Sequence, residues 1–301
     1  MKKLILLGAT FLFLVINSHA QESYTFTQPS HAFQEGTALY LQKQYSAAQH
    51  QMEIFLQKAD PIDKVRCQEA SYFIAACAFE LRQPNAKELI EQELITYPSS
   101  PQQSHLHYMA GILRFEAKQY AAALNELGKV TINQLNPSEG LLCHFAIGYS
   151  NMAVNRFPDA LIAFKPLLGS EKYDAVATYY YGYCEYALDN YAAALPYFQK
   201  IDQLPEFSSL APYYVIQIYA KQHDYAKVRS YGNTILKSQP NNPKNGEVYR
   251  LLGECDYREQ NYNQAVTQFS KAGAMNASLP RNSLYMWGIS CYKTNRYYVH
   301  P

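Results

Sequence analysis

Six glycines in this 301-residue chain each stand nine residues before an aromatic: Gly36 and Tyr45, Gly111 and Tyr120, Gly148 and Phe157, Gly182 and Tyr191, Gly253 and Tyr262, Gly288 and Tyr297. The aromatics at 120, 157, 191, 225, 262 and 297 follow one another at intervals of 34 to 37 residues. Past each aromatic the apolar residues step by helical spacing, as in Tyr191, Ala194, Phe198 and Ile201, which share one face of a 3.6-residue helix. Before it, Asp189-Asn190 breaks the apolar period. A glycine inside a helix costs about 1 kcal/mol relative to alanine, so its recurrence calls for a packing reason. The reason expected here is close approach: a small residue on the first helix of each pair admits the second against its backbone. A fixed period of this size is that of helical hairpins stacked in line, none of which can bury its apolar face alone.

The pattern of small residue, aromatic, alanine, phenylalanine and closing proline resembles the tetratricopeptide repeat family, over roughly Pro29 to the C-terminus. The resemblance implies an all-α fold, a right-handed superhelical solenoid of antiparallel helix pairs. Its first helices (A) would line a concave wall and its second helices (B) the outside. About seven and a half repeats are expected over 29–301, the last incomplete. The chain would then continue in a longer protein, or its bare end would be covered by a partner.

Met1 to Ala20 reads as a secretory signal. Lys2 and Lys3 open it, Leu4 to Ile16 is apolar but short for a membrane span, and Ser18-His19-Ala20 places cleavage after Ala20. An uncleaved anchor helix is the competing reading. Residues 21–28 are expected to be a disordered leader, and the mature chain is expected in the periplasm or cell envelope. Formal net charge is +1, and the signal takes two lysines with it, so no basic stripe is left for nucleic acid or for an anionic membrane surface.

Within the repeats, Ser30 is expected to cap the first helix. The second repeat, Lys64 to Pro98, fits worst: Pro84 stands where the aromatic belongs, and helix B is expected to start there, because proline suits a first turn. In the third repeat the apolar face is expected to continue through Leu127 to Val130, and Asn136-Pro137-Ser138 reads as turn and cap. The sixth repeat has Ile216 in place of glycine, and Asn241 to Gly246 is a turn-rich connection.

Export would permit disulfides among the six cysteines. However, Cys184 and Cys255 occupy one repeat position, and helix-packing distances of about 8–10 Å exceed disulfide reach. Buried free thiols are therefore expected. No CxxC or paired Cys/His spacing suggests zinc. His105 and His107 lie two apart on a helix and point to different sides. There is no HExxH, GxSxG or phosphate-binding glycine loop. No catalytic residue, metal or cofactor is expected.

What remains is surface. With Gly182 as position eight, position five of successive A helices reads Phe33, Tyr108, Phe145, Tyr179, Tyr213, Arg250 and Tyr285. Aromatics are 14% of the chain, so six of seven is beyond chance. Position nine adds Tyr149 and Tyr183; position twelve adds Tyr40, Phe115, Tyr186, Tyr257 and Tyr292. By the family's geometry the partner-binding groove would be lined by Tyr108, Phe115, Phe145, Tyr149, Tyr179, Tyr183, Tyr186, Tyr213 and Tyr257. Tyr149, Tyr183 and Tyr186 are favoured, because position five could equally serve packing between helices. Tyrosine offers an apolar face and a hydroxyl at low entropic cost. The family's chaperone-binding members grip a terminal carboxylate with Lys and Asn; Phe33 and Thr37 stand in the first repeat instead, so that role is not expected. The expectation is a non-catalytic protein-interaction scaffold of the cell envelope, binding an extended or helical segment. The alternatives are a carbohydrate-binding module using the tyrosine platforms, or the docking region of a longer protein.

Overall fold

A computed structural model describes residues 29–275 and 277–296. The expected signal, the leader and Tyr297 lie outside the described residues. The described chain is helical throughout, in pairs: α1 (Pro29–Leu41) with α2 (Tyr45–Lys58), α3 (Lys64–Glu80) with α4 (Ala86–Thr96), and α5 (Gln103–Glu116) with α6 (Tyr120–Leu127). Next come α7 (Pro137–Ala153) with α8 (Phe157–Phe164), α9 (Asp174–Ala187) with α10 (Tyr191–Ile201), and α11 (Ala211–Lys221) with α12 (Tyr225–Ser238). The last are α13 (Asn245–Arg258) with α14 (Tyr262–Ala274), and α15 (Arg281–Lys293). The chain divides into two compact units inside α7, residues 1–146 and 147–301. Both are built alike.

Each A helix ends in the same way. The residue two past its last position adopts the left-handed conformation, with φ between 55° and 64°: Lys43, Arg82, Lys118, Asn155, Asp189, His223, Gln260 and Asn295. The following N–H reaches back to the carbonyl five residues earlier, as Gln119 does to Arg114 and Asn190 to Glu185. This Schellman closure satisfies carbonyls the helix end would leave orphaned. It turns the chain so that the aromatic becomes the first residue of helix B: Tyr45, Tyr120, Phe157, Tyr191, Tyr225 and Tyr262 all open helices.

The glycines have the packing role their spacing implies. A Cβ built on Gly36 would fall 2.9 Å from Met52, on Gly111 2.5 Å from Leu127, on Gly148 2.7 Å from Phe164, and on Gly253 2.9 Å from Phe269. In each pair the bulky residue lies sixteen positions on, and it is buried to within 1% exposure. The sixth repeat inverts the pair. Ile216 is buried, and the space is released sixteen residues later by Gly232, whose added Cβ would sit 2.9 Å from Ile216 Cδ1.

Several local expectations are corrected. Ser30 lies inside α1, which starts at Pro29. Pro84 stays in the turn, and α4 begins at Ala86. Its buried face, Ala86, Ile90 and Glu93, keeps the four-then-three step of Ala48, Met52 and Phe55 but follows the left-handed turn residue one position sooner. Val130 lies past the end of α6, which stops at Leu127 before Gly128. In the fourth repeat Pro166 cannot donate to the helical ladder, and the chain tightens to a 3₁₀ turn at Lys165–Leu167 that still buries Leu167. The six cysteines are free thiols, four of them buried.

An extended apolar cluster lies in the second unit and runs from Ala194 through Phe198, Ile216, Val228 and Leu252 to Cys255. Smaller ones close the first hairpins around Met52, Phe55 and Phe73, and the last around Phe269, Met286 and Trp287. At about 25 cal/mol per Å² of apolar area, such burial across each hairpin junction is what makes one pair depend on the next.

Candidate functional site

The nine expected groove rings fall in both units. In the first, Tyr108 is only 3% exposed and belongs to the core. It stacks on His105 at 5.6 Å and meets Phe79 edge-on at 6.3 Å. Phe115 and Phe145 are half-buried and meet edge to face at 6.3 Å. In the second unit Tyr213 is 4% exposed, and its hydroxyl donates to Asn245 Oδ1 at 3.0 Å. Asn245 in turn donates to the carbonyls of Gln239 and Pro240, tying down the connection before α13. Tyr108 and Tyr213 therefore do not offer ring faces to a ligand; their place on the wall is a correction, because position five points between adjacent helices there.

The residue missed at this point is the neighbour, Tyr214. Its ring stacks on Phe198 at 4.6 Å and receives Tyr186 at 5.3 Å, Tyr183 at 6.1 Å and Tyr179 at 6.1 Å. Tyr179 also stacks on Phe207 at 5.4 Å. All four tyrosines are half-buried, and burial raises the hydroxyl pKa of Tyr179, Tyr186 and Tyr214, so they stay neutral donors. Tyr149 meets Tyr180 at 5.3 Å and Tyr257 meets Tyr262 at 6.0 Å, both half-buried. A doubled tyrosine on a helix leaves its inward member undecided by spacing alone, which is why Tyr214 escaped notice.

Beside this cluster is a cavity of about 540 Å³ between α9, α11, α13 and the start of α15. Tyr186 closes one side, and its hydroxyl donates to Gln217 Oε1 at 2.9 Å. Arg250 occupies the position where other repeats carry a ring. Its guanidinium donates to Glu247 through Nε at 2.7 Å and also pairs with Glu254, while Ser283 from α15 donates to Glu254. A smaller cavity of about 360 Å³, lined by Tyr214, Gln217, Lys244 and Glu247, adjoins it.

His105 and His107 do point apart. The Tyr72 hydroxyl lies 2.9 Å from His105 Nδ1, and His105 Nε2 lies 3.2 Å from Glu139, so one imidazole links α3, α5 and α7. His107 meets Glu126 at 2.7 Å. Burial pushes the Glu139 carboxyl up, but hydrogen bonds from His105 and from Asn136 outweigh it, and its pKa is net lowered. Among the described residues no group of three His, Cys, Asp or Glu is placed to hold a metal ion. Burial raises the Cys184 and Cys255 thiols to about 12, which leaves them protonated.

Residues 145–208 match the tetratricopeptide repeat family. No curated protein matches the chain in sequence. Among solved structures, the C-terminal part of a TPR repeat-containing protein from Cytophaga hutchinsonii is similar with a TM-score of 0.52 at 14% identity, over 76% of this chain and 91% of that one. PilF from Pseudomonas aeruginosa gives 0.46 at 17% identity, over 73% and 95%. A tetratricopeptide repeat protein from Parabacteroides merdae gives 0.42 at 13%, over 87% and 98%. In fold the chain is an all-α tetratricopeptide-repeat solenoid, and residues 145–208 carry the sequence of that family.

Proposed function

We propose that the chain is a non-catalytic scaffold that binds an extended segment of a partner polypeptide, and that the A helices of residues 147–296 form the seat. The observation that carries this reading is the cluster of Tyr179, Tyr183, Tyr186 and Tyr214, held by mutual edge-on contacts, with Tyr186 lining a cavity of about 540 Å³ and Tyr214 a smaller one of about 360 Å³. Rings already fixed by their neighbours lose little freedom when a ligand covers them, so their burial goes into affinity. The alternation of ring faces with Gln217 and Glu247 suits a peptide backbone, which needs apolar contact and hydrogen bonds together.

The cell envelope is proposed as the place, on the strength of Met1–Ala20; among the described residues no helix is long and apolar enough to cross a membrane. The test is quantitative photocrosslinking in envelope extract, comparing the parent with Tyr183→Ala and Tyr186→Ala. A partner peptide whose crosslinking drops in both variants supports the seat. Crosslinking that ignores both, or saturable glycan-array binding that depends on both, overturns it.

A further inference from the structure

We infer that the 540 Å³ cavity accepts an acidic side chain, Asp or Glu, from within the bound segment, and that Lys221 and Arg258 select it. This rests on the reading above and adds the partner's chemistry. The argument is a balance of donors and acceptors. Three cations, Lys221, Arg250 and Arg258, and two carboxylates, Glu247 and Glu254, line the cavity, together with His223.

Both carboxylates are already engaged. Arg250, whose side chain is only 12% exposed, pairs with Glu247 and Glu254, and the Ser283 hydroxyl donates to Glu254. Lys221 and Arg258 have no carboxylate partner among the described residues. Lys221 Nζ sits 5.8 Å over the Tyr191 ring, and the Arg258 guanidinium 5.5 Å over the Tyr225 ring. A cation over an exposed ring gains only about 0.5–1 kcal/mol, so it remains available to a carboxylate. Gln217 accepts from Tyr186 through Oε1, and its Nε2 has no protein partner among the described residues.

The cavity thus presents cations in excess, three against two carboxylates, and both carboxylates are already paired with Arg250. The ligand group that satisfies such a surface is an anionic acceptor. Arg250 supplies the floor in the one repeat where the ring of position five is replaced by a charge. It does so already neutralised, so the selecting cations are the two at the rim. The same arrangement disfavours a basic segment, which would meet Lys221 and Arg258 while both carboxylates stay paired with Arg250.

The experiment is fluorescence anisotropy on the full chain with three labelled peptides of one length. One alternates Tyr and Glu and is amidated. The second is its Gln counterpart, also amidated. The third is the Gln peptide with a free carboxyl terminus. The Glu peptide is expected to bind about tenfold tighter than the amidated Gln peptide. Lys221→Met and Arg258→Met should each remove about threefold of that advantage and leave the Gln peptide unchanged. Both positions are exposed, so melting curves should not move.

Equal binding of the Glu and Gln peptides overturns the inference, as does a Glu advantage that survives the double variant. Equal binding that still requires Tyr183 and Tyr186 would leave the seat standing without its acidic preference. A Glu advantage indifferent to those tyrosines would do the reverse. If the acid-terminated Gln peptide matches the Glu peptide, a chain terminus is the ligand and the inference fails. If no peptide binds, both readings fail.

Discussion

A single methyl group at the helix crossing is enough to test the packing argument. At Gly148 a Cβ would stand 2.7 Å from two ring carbons of Phe164. Phe164 cannot retreat: it is fully buried and stacked on Tyr180 at 5.6 Å. Gly148→Ala should therefore cost about 1–3 kcal/mol from overpacking, exceeding the roughly 1 kcal/mol that alanine gains as a helix former. At Gly288, by contrast, no described atom lies within 4 Å of the added carbon, and the residue is exposed. There the propensity term acts alone, so Gly288→Ala should stabilise by up to about 1 kcal/mol. Thermal melts of the two variants should move in opposite directions; a shift of the same sign in both would mean the glycines are not spacers. The pair Ile216 and Gly232 shows the rule from the other side, since it swaps which helix is trimmed and keeps the contact.

Elements are joined by two devices with different visibility in the sequence. The left-handed turn residues are Lys, Arg, Lys, Asn, Asp, His, Gln and Asn, none of them glycine, so no shared residue type betrays the turn. A left-handed L-residue is strained by about 1–2 kcal/mol, and glycine escapes this at a smaller entropic cost. Lys118→Gly should therefore stabilise α5–α6 by about 0.5–1 kcal/mol, seen as a higher urea midpoint with an unchanged slope; destabilisation would argue that Lys118 holds a contact instead.

The cap of α7 was legible. Asn136 Oδ1 accepts from the Glu139 N–H at 3.0 Å, and Glu139 accepts from the Asn136 N–H at 3.1 Å, a reciprocal capping box. Glu139 also takes His105, so its carboxyl is held below its ordinary value. A depressed carboxyl adds stability that is present above the unfolded value, about 4.3, and fades as pH falls through the folded one. The stability lost in Glu139→Gln should thus be present at neutral pH and shrink on acidification below about 4; urea melts at neutral and acid pH check it, and a pH-independent difference would remove the carboxylate from the account.

The aromatic-led helix starts, the pairing and the spacer glycines could be read because each depends on spacing within one chain segment; the start of α4 could not, because Pro84 stands there in place of the aromatic. Tyr214 in place of Tyr213, the Arg250 network and the His105 bridge could not, because each depends on the angle between neighbouring helices, which no interval encodes.

For the molecule as a whole, stability in a stack of pairs is a sum of neighbour contacts, so it should vary along the chain instead of being shared evenly. In the second unit the continuous buried cluster from Ala194 to Cys255 gives α10 to α13 partners on both sides. α15 packs through Met286 and Trp287 on Phe269, but turns Leu284, Tyr285 and Tyr292 outward at 46%, 63% and 64% exposure. Its backbone hydrogen bonds are thus guarded from one side among the described residues. Native-state hydrogen exchange should find the slowest amides of this unit in α10 to α13 and the fastest helical ones in α15. With rising urea, α15 should open before α11 and α12 do. If all helices of the unit exchanged through one common opening, neighbour coupling would be strong enough to make it a single cooperative body, and a partner bound at the 540 Å³ cavity would protect every helix equally. If the gradient holds, a ligand spanning α9 to α15 should slow α15 most, because the helix that opens most readily has the most protection to gain.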